Sequence, residues 1–254
     1  MRHVQLFGLS SEREICPGDD LVDWVAQICD VQRICPQAGD ILVFAQKVIS
    51  KSEGRIVDLT RVRPSARALE ISEQTGKDAR VVELILGESS RVVRATPKAL
   101  IVRHLTGVVL ANAGIDRSNV QQTGSQQSVL LWPRNPDASA QRLHTDASQR
   151  FGVEIPVVIN DSLGRAWRRG TVGVAIGAAG MACLVDLRGR VDRHGYRLVS
   201  AQVGAADEVA AAASLVMGQA AESIAAVLVR GVEPRVSRGA AADLIRPTEE
   251  DLFQ

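Results

Sequence analysis

The stretch that decides how the chain is interpreted is residues 157–170, which read VVINDSLGRAWRRG. Apolar β-forming residues that begin at Ile155 run into Asn-Asp-Ser and then a glycine, which predicts a buried strand ending in a loop. The predicted loop offers a carboxylate at Asp161, a hydroxyl at Ser162, and guanidinium groups at Arg165, Arg168 and Arg169. Oxygen ligands of this kind suit Mg²⁺ or Mn²⁺, and clustered arginines suit phosphate or carboxylate. An ordinary strand exit with solvated arginines is the alternative, and the local pattern does not separate the two.

The composition is that of a globular protein with no strong electrostatic preference. The chain has 254 residues, of which 46% are hydrophobic, so it is long enough for one large domain or two small ones. Aromatic residues make up only 3%, which argues against a surface that stacks nucleic-acid bases. The net charge is +1, and no apolar run approaches the ~20 residues of a membrane span. We therefore expect neither a nucleic-acid partner nor a membrane partner.

The four cysteines and the first residues predict the compartment. The cysteines show no C-x-x-C spacing, which argues against a zinc site or a disulfide framework and favours reduced thiols. The opening segment, MRHVQLFG, is too short and too soon interrupted by glycine for a signal peptide. The sequence predicts a cytoplasmic protein.

A second polar cluster follows a second apolar run. Residues 41–45, ILVFA, predict a buried strand, and Gln46, Lys47 and Lys51 come directly after it. Lysines at this place could meet a polyphosphate as point charges. The alternative is an amphipathic helix or strand whose lysines are solvated.

A second carboxylate is predicted at a strand end. Residues 106–116 read TGVVLANAGID, which predicts a strand that ends in small polar residues and Asp116. Asp116 and Asp161 would together form a divalent-cation site if their strands are neighbours in space.

The remaining pattern predicts a mixed fold. Residues 65–86 predict two helical pieces broken at Thr75-Gly76, Asp137 is a candidate cap of a helix ending near Gly152, and a helix from Asp207 is expected to end at Gly218. The glycines between residues 171 and 181 fit no phosphate-binding motif and predict close backbone packing. Strands and helices alternate without a regular βαβ rhythm, so the fold class is α+β or mixed α/β. We treat residues 1–254 as a single domain with room for two lobes.

The histidines do not point to a hydrolase. His3, His104, His144 and His194 are scattered, and the chain has no G-x-S-x-G elbow. Each histidine is better explained as a satisfied surface or core residue.

Several long motifs, in order, resemble those of one family. They are PGDDL at 17–21, the stretch from Gly39-Asp40 to VISKSEGR at 48–55, ANAGIDRSN at 111–119, DSLGRAWR at 161–168, and the stretch from ADE at 206–208 to VMGQ at 216–219. With these motifs the chain resembles the F420-0:γ-glutamyl ligases, which add L-glutamate to coenzyme F420-0, over residues 8 to 231.

The resemblance implies a fold, a reaction and cofactors. The fold is expected to be a mixed α/β arrangement in an intertwined homodimer. GTP would phosphorylate the carboxylate of F420-0, and the amine of L-glutamate would then attack the acyl phosphate. Two sites for Mn²⁺ or Mg²⁺, assisted by K⁺, would support the transfer.

The resemblance also assigns residues by motif position. Asp116 and Asp161 are expected to bind one metal ion, and Ser162 with Gln219 a second. Apart from the resemblance, the chemistry of their guanidinium groups would let Arg165 and Arg168 clamp a carboxylate or phosphate of either substrate. The residues expected to hold the nucleotide are Gln46, Lys47, Lys51, Asn119, Met217, Gly218, Gln219, Ala220, Ala221, Glu222, Ser223 and Ile224.

The chain departs from the family pattern at three places. Ser162 stands where threonine is common, Asn160 replaces a small hydroxylic residue, and residues 9–14 lack the usual Gly-Leu-Pro. Two rival functions stay open. One is a related amide ligase that acts on another carboxylate; the other is a non-catalytic nucleotide-binding protein.

Overall fold

The computed structural model describes residues 3–118, 127–232 and 237–251 and shows the expected mixture of helices and strands. No helix in these ranges is long and apolar enough to cross a membrane. The strands are β1 (Gln5–Ser10), β2 (Ile41–Ala45), β3 (Ile56–Asp58), β4 (Ser89–Thr96), β5 (Ala99–His104), β6 (Val109–Ala111), β7 (Ser128–Leu130), β8 (Val157–Arg165), β9 (Arg168–Ala179), β10 (Leu184–Asp186), β11 (Gln202–Gly204) and β12 (Ile224–Arg230). The helices are α1 (Leu21–Gln32), α2 (Gln46–Ser52), α3 (Ala66–Thr75), α4 (Ala79–Gly87), α5 (Pro136–Phe151) and α6 (Ala205–Met217).

A five-stranded sheet in the order β1-β12-β2-β8-β9 forms the centre of the molecule. In this sheet the β2–β8 pair is parallel, and the other neighbouring pairs of strands are antiparallel. Leu42 and Phe44 pack on one face with residues of α1, α2 and α5, while Ile41 and Val43 pack on the other face with residues of α6. Because β2 is covered on both faces, its sequence is a continuous apolar run rather than an alternating one.

A smaller sheet, β4-β5-β6, packs against α3 and α4 around a separate apolar cluster. The two helical pieces predicted for residues 65–86 are confirmed, with Gly76 ending α3 in the left-handed conformation at φ 67°. Two-stranded sheets β3-β7 and β10-β11 complete the strand pairing.

The prediction that a loop follows Ile159 is wrong, because strand β8 continues past that residue. β8 runs on to Arg165, turns at Ala166-Trp167 and returns as β9, with Asp161 opposite Val174 and Leu163 opposite Val172. Asn, Asp and Ser favour turns locally, but cross-strand pairing with a β-branched partner strand outweighs that preference.

Two other local predictions need correction. The predicted strand over residues 106–116 is limited to β6; after it Asn112 and Ala113 adopt positive φ, and Asp116 lies in an isolated antiparallel bridge to Leu130. Asp137 is not the cap of α5, because Asn135 accepts the hydrogen bond from the Ala138 amide at 3.0 Å.

The Asp137 carboxylate has a different use. It accepts hydrogen bonds from the amides of Ala178, Ala241 and Ala242, and so ties the C-terminal segment to β9.

The glycines of β9 serve close packing, as their sequence context predicts. A Cβ at Gly173 would lie 2.5 Å from the Ala210 carbonyl oxygen of α6, and one at Gly177 would lie 2.5 Å from the Pro136 backbone of α5. Both helices therefore approach β9 more closely than any side chain would allow.

Candidate active site

The candidate site lies where β2 stops and its parallel neighbour continues. The last residue of β2, Ala45, is paired with Asn160, and α2 begins at the next residue, Gln46. Beyond Asn160, β8 has lost this neighbour, and a cavity of about 840 Å³ opens beside it. Ligands of open α/β sheets commonly bind at such a strand end.

Most of the residues expected at the site line this one cavity. Arg165 does not line it, and Asn119 lies outside the described residues. The expected residues that line the cavity are Gln46, Lys47, Lys51, Asp116, Asp161, Ser162, Met217, Gly218, Gln219, Ala220, Ala221, Glu222, Ser223 and Ile224.

Asp116 is an ionised carboxylate held by a lysine. The Lys47 ammonium lies 2.7 Å from Asp116 Oδ2, and the backbone amide of Ser118 donates to Oδ1 at 2.7 Å. Burial by itself would raise the pKa of Asp116, but the hydrogen bonds from Lys47 and Ser118 outweigh it and hold the pKa below its usual value. Asp116 is therefore a charged acceptor at neutral pH.

For Asp161 the effects that raise the pKa outweigh those that lower it. It touches the cavity but is enclosed by protein on its other sides, and this burial raises its pKa. Hydrogen bonds from the Ser162 amide and the Trp132 indole, both at 2.8 Å, and the charge of Lys47 lower the pKa of Asp161, whereas the nearby charge of Asp116 raises it. Two neighbouring carboxylates thus share the positive charge of Lys47, and a cation between them would relieve the repulsion.

The chemistry of the donor set fits a divalent cation. Among residues 3–118, 127–232 and 237–251 no group of three or more His, Cys, Asp or Glu side chains is placed to hold a metal ion. A site here would therefore combine two carboxylates with neutral oxygens and water, which is how Mg²⁺ and Mn²⁺ are often bound.

Ser162 and Asp161 follow each other on a strand, so their side chains point to opposite faces of the sheet. Both still line the cavity, because no β2 residue is paired with β8 beyond Asn160. Gln219 also lines the cavity, and its Nε2 lies 3.5 Å from Ser214 Oγ. The Ser162 hydroxyl and the Gln219 amide oxygen are therefore available as neutral ligands on the side of α6.

The loop after α6 is shaped by a tight turn. Gly218 has φ 70°, and a Cβ there would lie 2.2 Å from the Glu222 carboxyl carbon. The Glu222 side chain accepts from the Ala220 amide at 2.7 Å. Because φ 70° combined with ψ −169° is a conformation that glycine alone adopts without strain, Gly218 sets the course of the cavity wall at this point.

The lysines of α2 are not simply solvated, so that alternative is wrong. The Lys51 side chain is only 9% exposed, and its ammonium lies 2.5 Å from a carboxylate oxygen of Glu14. Lys47 and Lys51 are four residues apart on one helix and therefore face the same side. Gln46 is buried and donates to Ser50 Oγ and to the Leu131 carbonyl, which anchors the start of α2.

Arg165 is at the tip of the β8–β9 hairpin. Because a strand rises about 3.3 Å per residue, Arg165 lies roughly 13 Å along the strand from Asp161. Its guanidinium is exposed and lies 3.3 Å from the Arg169 carbonyl. The expectation that Arg165, Arg168 and Arg169 share a loop with Asp161 is wrong, because the segment predicted as a loop continues the strand.

The comparisons with known proteins agree with the motifs. The family model described as F420-0:Gamma-glutamyl ligase matches residues 11–231. The chain belongs to this family. The resemblance inferred from the motifs is thereby confirmed, and the family is one of enzymes.

Relatives along the full length support the same assignment. Proteins named coenzyme F420:L-glutamate ligase are 40% identical in Methanothermobacter thermautotrophicus, over 99% of both chains, and 40% identical in Methanopyrus kandleri, over 96% of this chain and 94% of the relative. A protein of the same name in Archaeoglobus fulgidus is 39% identical over 99% of this chain and 96% of the relative.

Sequence reasoning missed two side chains at the candidate site. Glu14 pairs with Lys51 across 37 positions, and no local pattern announces such a contact. The residues around Trp132 carry no local signal for a place at the site, beyond the rule that a buried indole N–H needs an acceptor.

Proposed function

We propose that the protein joins L-glutamate to coenzyme F420-0 by an amide bond, with GTP as the phosphoryl donor and two divalent cations and K⁺ as cofactors. The reaction proceeds through an acyl phosphate formed on the acceptor carboxylate. The observation that carries this proposal is that Asp116, Asp161 and Lys47 face one cavity together with the loop 217–224.

The arrangement suits phosphoryl transfer because that reaction depends on charge neutralisation and alignment more than on a protein nucleophile. Lys47 and Lys51 place two positive charges on one side of the cavity. Asp116 with Asp161 would hold one metal ion, and Ser162 with Gln219 a second. When bound, these cations would neutralise the phosphate oxygens and polarise the transferred group.

The described lining of the cavity contains no cysteine and no histidine, so neither a thiolate nucleophile nor an imidazole base is present there. A direct attack of the acceptor carboxylate on the γ-phosphorus, followed by attack of the glutamate amine, needs neither. The walls of the cavity then serve to bind both acids and to keep water from the acyl phosphate.

The test is product formation from defined components. Mass spectrometry of F420-0 incubated with the protein, GTP, Mn²⁺, K⁺ and L-glutamate is expected to show the mass of one added glutamate, with GDP and phosphate released in equal amounts. Omitting any one substrate or Mn²⁺ is expected to stop both. Turnover of GTP only with a different carboxylic acid would favour the first rival function, and no turnover with any acceptor would favour the second.

We also propose a homodimer as the working form. Large apolar side chains remain exposed on one chain, among them Trp167 at 95%, Leu215 at 83% and Val199 at 71%. Exposed apolar groups of this size are what an interface covers. Light scattering is expected to give twice the mass of one chain, and Trp167→Ser is expected to weaken the association.

A further inference from the structure

The Trp132 side chain is completely buried, and its one polar atom, the indole nitrogen, forms a hydrogen bond at the candidate site. The indole Nε1 donates a hydrogen bond of 2.8 Å to Asp161 Oδ2. The other oxygen of Asp161 accepts from the Ser162 amide at 2.8 Å. Because each oxygen accepts one directed hydrogen bond from the protein, the plane of the carboxylate is fixed before any ligand binds.

Two neighbouring residues lie close to the indole ring. Gly114 has φ 70°, and a Cβ there would lie 2.3 Å from the Trp132 Nε1 atom, so only glycine leaves the N–H free to reach Asp161. The His104 ring packs against the indole with centroids 4.8 Å apart.

The backbone of Trp132 is fixed as well. Its carbonyl accepts from Arg55 Nε at 2.8 Å, and the Arg55 guanidinium is paired with Glu88 at 2.8 Å. None of the residues Gly114, His104, Arg55 and Glu88 lines the cavity, so none of them would contact a ligand there directly.

We infer that Trp132 is a positioning residue that orients the Asp161 carboxylate for a divalent cation. The inference rests on the metal-dependent function proposed above. It assigns a purpose to the glycine of the ANAGID motif, which keeps the indole in place, and to the partly buried Arg55–Glu88 pair behind it. Ligating carboxylates generally need such supporting donors, and their loss typically weakens metal binding by about 10- to 100-fold.

The test measures Mn²⁺ binding directly, by electron paramagnetic resonance of the free ion. Trp132→Phe keeps an aromatic ring and removes the donor, and it is expected to weaken Mn²⁺ binding about tenfold. Trp24 is the matched control, because it is also buried and borders the cavity but its Nε1 makes no hydrogen bond to any residue that the structure describes. Trp24→Phe is expected to leave Mn²⁺ affinity unchanged.

A double-mutant cycle separates positioning from a general structural effect. In the Asp161→Asn background, Trp132→Phe is expected to cost no further Mn²⁺ affinity, because the carboxylate that it orients is gone. Two results would overturn the inference. One is an equal loss of Mn²⁺ affinity from Trp132→Phe in the unmodified and the Asp161→Asn backgrounds. The other is a Trp132→Phe variant whose Mn²⁺ affinity is within twofold of that of the unmodified protein. An unmodified protein that binds no Mn²⁺ would refute the metal-dependent function itself, and this role with it.

A second variant keeps the test decisive if Trp132→Phe does not fold. Site-specific replacement of Trp132 by 3-benzothienylalanine keeps the shape of the indole and substitutes sulfur for the N–H. The same tenfold loss of Mn²⁺ affinity is expected, and unchanged affinity in this folded variant would overturn the inference.

Discussion

Replacing Asp161 by asparagine separates the chemistry of the site from its stability. The substitution keeps the size of the side chain and removes its charge, so the first metal site loses one of its two carboxylates. We expect turnover of GTP with F420-0 and L-glutamate to fall by roughly 10³-fold, comparable to the loss of an essential electrostatic group elsewhere. The protein is expected to remain folded.

The stability change is small because two effects oppose each other. The asparagine amide has one acceptor oxygen, whereas Asp161 accepts from both Ser162 and Trp132, so one donor is left unpaired at a cost of about 1–3 kcal/mol. The same change removes a poorly hydrated charge whose burial raises its pKa, which is favourable. We expect a net change within about 2 kcal/mol, or a shift in Tm within about 8 °C.

The pH dependence of this stability has a definite sign. The folded pKa of Asp161 is raised above the unfolded value of about 3.9, so the stability that it contributes is fully present below that value and is lost as pH rises through the folded pKa. Without metal, the Tm of the unmodified protein relative to Asp161→Asn should therefore fall between about pH 4 and neutrality. Mn²⁺ at about 100 times its Kd for the unmodified protein should add about 2.7 kcal/mol to the stability of that protein and less to Asp161→Asn, which has lost one carboxylate of the first metal site.

The assay is phosphate release in the complete mixture, run beside thermal unfolding with and without Mn²⁺. Arg165→Gln provides a comparison, since Arg165 is exposed at the hairpin tip and does not line the cavity of its own chain. Activity near that of the unmodified protein in Asp161→Asn would refute the assignment of this carboxylate. A Tm difference that is flat between pH 4 and 7 would refute its electrostatic description.

Three further substitutions test other parts of the site. Lys47→Met removes the ammonium that holds Asp116, and we expect nucleotide affinity measured by calorimetry to fall about tenfold, because a charge-assisted hydrogen bond contributes about 1.5–3 kcal/mol. Glu14→Gln frees Lys51 from a competing anion, and we expect nucleotide affinity to rise about threefold, a modest gain because the Glu14 side chain is 61% exposed. Gly173→Ala forces a Cβ against α6, and we expect a loss of about 2 kcal/mol in unfolding free energy, measured in urea.

Each substitution has a control in the same chain. Lys98 is an exposed lysine, so Lys98→Met is expected to leave nucleotide affinity unchanged. Glu12→Gln removes an equal charge from the segment of Glu14, and a gain in affinity as large as that of Glu14→Gln would contradict the competition argument. A Cβ at Gly164 would meet no atom within 4 Å, so Gly164→Ala should be neutral; equal costs at Gly164 and Gly173 would contradict the packing argument.

Elements that depend on local chemistry could be predicted from the sequence. β2 is a run of five apolar residues and has its predicted bounds, and α1 begins where Asp20 accepts from the amides of Val22 and Asp23. Gly152 and Gly218 end their helices as expected. In each case the determining contacts span only a few residues, so the sequence contains them.

Contacts between distant segments could not be predicted in this way. The continuation of β8 past Asp161 depends on the partner strand β9, and the position of Asp116 depends on a bridge to Leu130 rather than on a strand of its own. Both aspartates that the motif resemblance singled out line one cavity, and a family pattern can single them out because it summarises long-range contacts that local propensity does not contain. It did not reveal the hydrogen bond of Trp132, which only the coordinates show.

The stop of β2 at Ala45 gives the central sheet a short unpaired border inside the molecule. Unpaired borders on the outside of a protein recruit strands from other chains and promote aggregation. Here the border forms the floor of a recess whose walls are α2 and the loop after α6, so another polypeptide has no straight approach to it. A small molecule that fills the recess would shield the Ser162 amide, which donates to Asp161 Oδ1, from solvent, and slower hydrogen exchange at this amide would therefore report occupancy without any chemical turnover.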